Sequence, residues 1–355
     1  MSTQPAFAFG IFDSFDLGES SPGQVIASRL DFAVAAEAAG IGHYHVTEHH
    51  GTPLSVCPSP NLFLAALSQR TTTMRMGALV HVLPAYEPLR LAEEIAILDQ
   101  LTNGRLDVGV GSGISPYELA YFGIDAAEAR DRYTETLAAV TGALATGRLT
   151  HRGVLLRDYD VELSVGAVQR PHPPLWYASS NTRSAEWAAA NDVNFVGKWS
   201  GGSFAPAVQA YWQTWQDKQE GHPGSKPPRV GAAAHVYIGA TDADAAERFR
   251  KAGAVHFEHL LSLWHKNGNH AFDFMADLDA GMASGNALVG SAQTVRDLLT
   301  EQVAQAPVNY FEATLAFGDL TPEEAHANLA AFAETVMPAV REAAAARREA
   351  AIPAG

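Results

Sequence analysis

The chain has 355 residues, 47% of them apolar, and a formal net charge of −15. That acidity argues against nucleic acid as a partner, and no run of roughly 18 apolar residues is present to span a membrane. Met1–Pro5 lacks the basic and apolar regions of a signal peptide. The single cysteine, Cys57, cannot close an internal disulfide, so the expected location is cytoplasmic.

Strand and helix patterns alternate along the chain. The patterning predicts strand over 6–12 and helix over 23–40, then strand 42–47 and helix 59–71. Strand 75–83 precedes helix 88–102, and strand 106–111 precedes helix 126–147. In the second half, strands 174–178, 193–197, 230–239 and 308–315 alternate with helices 182–191, 204–220, 242–263 and 321–341. Eight such units predict one domain, residues 1–341, folded as an α/β protein, a (β/α)8 TIM barrel. Pro60 and Pro88 suit first helical turns, and Thr321-Pro322-Glu323-Glu324 has capping-box spacing. Stretches 148–173 and 264–292 exceed simple connections and are expected as insertions, the second a Gly-punctuated lid. The Ala- and Arg-rich tail, 342–355, is expected to be disordered.

In such a barrel the chemistry lies at the C-terminal ends of the strands. Strand 42–47 delivers Glu48, His49 and His50 there, and Gly51-Thr52-Pro53 breaks the chain at once. Strand 75–83 carries His81, and the next ends in Gly111-Ser112-Gly113. Ser179 and Ser180 precede a predicted helix, whose free N–H groups form an anion cradle, although serine there equally caps a helix. Gly111 lets a flat ligand approach the backbone, and Trp199 stands where it would close one side. Read alone, the glycines are a turn and Trp199 a packing residue. His43 and His45 share a strand face, as a zinc-binding His-x-His pair does. No second such pair and no HExxH follows, so no metal is expected. Cys57 reads as an inert small residue.

Longer stretches carry a resemblance. They are Ala38-Ala39-Gly40 leading to Thr47-Glu48-His49-His50, then Ser59–Ala66, Met76–Pro84 and Pro88–Arg105 with its Ala-Glu-Glu, Asp-Gln and Gly-Arg. Ala178-Ser179-Ser180 with Glu186–Ala189, and Val336-Met337-Pro338, complete the set. Almost end to end, the chain resembles the bacterial luciferase-like flavin-dependent monooxygenases, the group that includes the luciferase α subunit.

The resemblance implies a barrel that binds reduced FMN, supplied by a separate NAD(P)H:flavin reductase. It implies oxygenation of a small organic substrate with O2 through a C4a-peroxyflavin. The FMN phosphate would lie near Ser179 and Ser180, and the flavin ring over the third strand's end, where the family's non-prolyl cis peptide maps to Leu79-Val80. His49 matches the general base, with Glu48 and His50 beside it. The family commonly dimerises, and a homodimer through helices near Ser59–Arg70 and Pro88–Leu101 is expected. Departures matter. Gly111 and Ser112 stand where the α subunit has a cysteine and a phosphate-binding arginine, leaving Arg183 as the replacement. Light emission is therefore not implied. The alternatives are F420-dependent hydride transfer in the same barrel, a non-catalytic flavin-binding relative, or a metal hydrolase.

Overall fold

The computed structural model describes residues 6–18, 20–221 and 227–350. Eight parallel strands close into a barrel: β1 (Ala8–Asp13), β2 (His43–Val46), β3 (Arg75–Val82), β4 (Leu106–Gly111), β5 (Leu175–Ala178), β6 (Asn194–Lys198), β7 (Val230–Ile238) and β8 (Tyr310–Thr314). Each pairs with the next, and β8 returns to β1 through Ala8↔Tyr310 and Gly10↔Glu312. All eight strands anticipated from the sequence are present. The helices wrap the outside, so strand residues of one parity face the barrel axis and the other parity faces the helices. On β2, Tyr44 stacks outward on Phe63, whereas His43 and His45 contact Trp176 inside.

The lower barrel interior is filled by polar as well as aromatic side chains. His43 Nδ1 lies 2.9 Å from Asp107, Arg75 binds the other oxygen of Asp107 at 2.7 Å, and His45 Nδ1 lies 2.5 Å from Glu312. Gly10 gives Tyr310 room to cross, since a Cβ there would lie 1.8 Å from the Tyr310 hydroxyl oxygen. His43, His45 and Asp107 hold possible ligand atoms within 4.8 Å of one another. Arg75 and the two histidines face Asp107 and Glu312 there.

The segment after β4 forms a helix, Pro116–Tyr121, capped by Ser115. The stretch 264–292 carries secondary structure of its own. The helix Asp242–Lys266 runs into it, followed by a 3-10 turn at Asp273–Ala276, a helix at Leu278–Ala283 and a strand, Ala287–Gly290, paired to β7. The chain does not lose order after Val340. Met337–Ala350 is helical, because Val340 and Ala344 are buried and Arg347 donates to the backbone carbonyls of Val303, Ala306 and Val308. Residues 351–355 lie outside the described residues. In 148–173 the insertion folds as a hairpin, Arg148–His151 against Tyr159–Glu162.

Candidate active site

The β2 end carries odd-numbered Thr47 and His49 toward the barrel mouth, continuing the inward face of His43 and His45, while Glu48 and His50 turn the other way. Gly51 (φ 64°) then turns the chain, and a Cβ there would lie 2.8 Å from the Tyr121 ring. The helix Pro116–Tyr121 therefore docks directly on this corner. From it, Glu118 Oε1 lies 3.0 Å from His49 Nδ1, and Glu118 Oε2 accepts the His50 backbone N–H at 2.8 Å. Phe122 packs edge-on against the His50 ring.

Glu48, on the opposite side of the strand from His49, orients a neighbour there. It is buried, its Oε1 lies 2.9 Å from His50 Nε2, and its Oε2 accepts from Val82 N and the Tyr86 hydroxyl. It ties the β2 end to the β3 end and orients His50. With Nδ1 held by Glu118, His49 has its Nε2 left for the cavity. His49 lines both the small hollow beside Glu48 and His50 and a cavity of about 210 Å³ that also touches Phe12, Thr47, Lys198, His235 and Thr314. Among the described residues, His50 lines only the first. His81 is a packing residue, its ring nitrogens facing Asn61 and the Gly109 carbonyl. Cys57 is buried and its thiol is pushed up to about 11 by burial, as an inert residue requires.

Leu79-Val80 is a cis peptide, at the position anticipated for it. Leu79 is buried against Trp176, Val196 and Tyr310, and Val80 is partly buried beside them. Gly111 is needed, but for a reason other than ligand approach: a Cβ there would lie 2.5 Å from Val80 Cγ2. The glycine admits the Val80 side chain rather than open space. Ser112 follows, half-buried.

Around β5 and β6 the expected anion cradle is redistributed. Asn181, not either serine, caps the helix Thr182–Ala190, accepting from Ser184 N at 2.8 Å. Ser179 accepts from the Asn181 side chain, while Ser180 bonds the Lys198 backbone on both its N–H and its carbonyl. Arg183 lies in a cleft at this helix N-terminus together with Asn181, Ser184 and Arg130. Arg130 was not anticipated; it sits in the helix Ala129–Thr146, and only the fold brings it to the cleft. Trp199 does not close the site. It is 3% exposed and packs in the core, because the inward position at the β6 end belongs to its neighbour Lys198.

One further set crosses the mouth. Asp16, just after β1, meets His256 and His259 of the helix Asp242–Lys266 at 2.9 Å each and accepts the Gly318 N–H. Although burial opposes it, these partners hold the Asp16 carboxyl well below the usual carboxylate range. No spacing rule pointed to this set, since Asp16 and His256 are 240 positions apart.

Comparison with known proteins agrees with this architecture. The family model described as luciferase-like monooxygenase matches residues 7–310. The uncharacterized protein y4wF of Sinorhizobium fredii is 35% identical over 326 residues, covering 88% of this chain and 91% of its own. The oxygenase component of the flavin-dependent trigonelline monooxygenase of Acinetobacter baylyi is 26% identical, over 93% of this chain and 94% of its own. Among solved structures, the monooxygenase RslO1 of Streptomyces bottropensis superposes with a TM-score of 0.83 at 26% identity, over 93% of this chain and 99% of that one. The chain belongs to the luciferase-like monooxygenase family.

Proposed function

We propose that this protein is the oxygenase component of a two-component system that uses reduced FMN and O2 to oxygenate a small organic substrate. The observation that carries this reading is the His49–Glu118 pair, aimed into a cavity at the barrel mouth. The residues present fit the flavin. The cleft of Arg130, Arg183, Asn181 and Ser184 combines two guanidinium groups with a helix N-terminus, the donor set a phosphate needs. When bound, reduced FMN supplies the electrons that activate O2. The chain's own residues do the rest. Arg183 and Arg130 hold the phosphate, the Leu79-Val80 segment supports the flavin ring, and His49 holds or moves a proton at Nε2. Glu118 fixes the tautomer and aim of that imidazole. The word "component" in the trigonelline enzyme's name supports a separate reductase as partner here.

Arg183→Ala should weaken FMN binding roughly tenfold, and Arg183→Ala with Arg130→Ala more, as expected for lost charge-assisted bonds. Riboflavin, which lacks the phosphate, should bind the variants and the parent alike. Fluorescence titration of both flavins checks this; equal losses for the two would move the phosphate elsewhere. Ser180→Ala should matter little, because that hydroxyl already serves Lys198. F420 in place of FMN is the second reading, and titration with each cofactor separates the two.

A homodimer belongs to the same proposal. Leu62 is 74% exposed, and Ile97 and Leu101 are 48% and 42% exposed, so apolar area is left on the helices Pro60–Ser68 and Pro88–Leu101 after packing on the barrel. Light scattering should give about twice the 37.8 kDa chain mass; a monomer at micromolar concentration would remove the dimer from the proposal.

A further inference from the structure

We infer that Lys198, with His235 and Asn286, forms an anion-recognising subsite that receives a carboxylate or comparable anionic group of the substrate. The inference rests on the oxygenase reading and names the substrate class that the same site accepts.

Lys198 ends β6 on the inward face, at the point where the 210 Å³ cavity containing His49 meets a second hollow of about 600 Å³. Both are lined by Lys198, His235, Phe257, Met275 and Asn286, so the two hollows adjoin at these residues. Three arginines near the barrel have anionic partners: Arg29 has Asp13, Arg75 has Asp107, and Arg248 has Asp319 and Glu324. Among the described residues the Lys198 ammonium has no carboxylate and no hydrogen-bond acceptor. It remains accessible through the mouth, yet the surrounding protein desolvates it enough to lower its pKa. Accessible from the mouth and without an acceptor among the described residues, the ammonium is available to an anionic ligand.

Two neighbours point the same way. His235 lies inward on β7, and its Nε2 is buried without a partner. Burial, and then the nearby His256 and Lys198, keep its pKa well below the usual histidine value, so it stands neutral with a nitrogen to share. Asn286 has its orientation set, because its Oδ1 accepts from the backbone N–H and hydroxyl of Ser200. Its amide N–H2 is thereby left as a donor. Phe249, Phe257, Phe272 and Phe274 make much of the remaining wall apolar; the larger hollow also carries Ser180, Ser200, Ser284 and Asp277, whose carboxylate accepts the Ala280 N–H. Lys198, His235 and Asn286, clustered where the two hollows adjoin and beside aromatic walls, suit a small apolar or aromatic carboxylate. The flavin phosphate does not account for Lys198, which is absent from the lining of the cleft holding Arg130 and Arg183.

The test uses benzoate as probe, with benzamide as its neutral counterpart, titrated calorimetrically into the full chain with FMN bound and without. Benzoate should bind at least tenfold more tightly than benzamide. Lys198→Met should abolish that preference and Lys198→Arg should retain it. FMN affinity should stay within about twofold in both variants, which also reports that they fold. Equal binding of the two probes, or no benzoate binding, would overturn the subsite. So would a Lys198→Met variant that loses FMN but not riboflavin, since Lys198 would then hold the phosphate. If the parent protein binds no flavin at all, the oxygenase reading fails, while the two probes still decide the subsite.

Discussion

Replacing His49 with alanine is expected to cut substrate turnover by roughly 100-fold or more, the usual scale of a lost general acid–base group. Affinity for reduced FMN should change little, because His49 faces the cavity rather than the arginine cleft. The geometry says why this histidine carries the proton. Its Nδ1 is fixed by Glu118, as in a base–orienter pair, and its Nε2 is left to the cavity, whereas the His50 ring is tied by Glu48 to the β3 end. An imidazole can both give and take a proton, one ring nitrogen donating while the other accepts. Glu118→Gln should cost less than His49→Ala and should shift the pH profile of turnover, since it changes the orienting charge and not the proton carrier. Added imidazole should restore part of the His49→Ala activity. An unimpaired His49→Ala enzyme, with the loss found in His50→Ala instead, would place the base on the other histidine.

The largest stability effect is expected inside the barrel. Burial alone would push the His45 imidazole down, but the carboxylates of Glu312 and Asp107 outweigh it and raise its pKa to about 9. A raised folded value stabilises the fold fully below the unfolded histidine pKa of about 6.5, and that contribution is lost as pH rises through about 9. Each unit is worth about 1.4 kcal/mol, so unfolding stability should drop by a few kcal/mol between about pH 6.5 and 9.5. Glu312→Gln leaves His45 without its closest anion and should cost about 3–5 kcal/mol at neutral pH. It should also flatten the pH dependence. Urea unfolding midpoints across that range measure both. A flat parent profile, with a Glu312→Gln variant of parental stability, would mean that His45 is neutral in the folded barrel.

The fold was legible because strand periodicity, Pro60 and Pro88 at helix starts, and the Thr321 capping box each reflect local physics, and all pointed to the same alternation. The site was legible where it depends on strand parity. Residues 43–50 alternate in and out along one short segment, so the opposition of His49 to Glu48 and His50 could be read directly. It was not legible where partners meet across the chain. Glu118 lies 69 residues from His49, and its short helix has too few turns to show a period. Arg130 looked like any exposed helix charge until the fold set it beside Arg183. Trp199 and Lys198 were exchanged by a single step of strand parity, which the sequence at a strand's last residue does not mark. The continuation of the last helix over 342–350 was missed because its Ala- and Arg-rich composition resembles a solvated tail; burial of Val340 and Ala344 orders it.

The most direct test of the central claim compares the affinity of the protein for reduced and oxidised FMN, by anaerobic and aerobic equilibrium titration. A flavin supplied by a separate reductase should bind at least tenfold more tightly when reduced, and Arg183→Ala should weaken both forms together. Equal affinity for the two redox states, or none for either, would contradict the account.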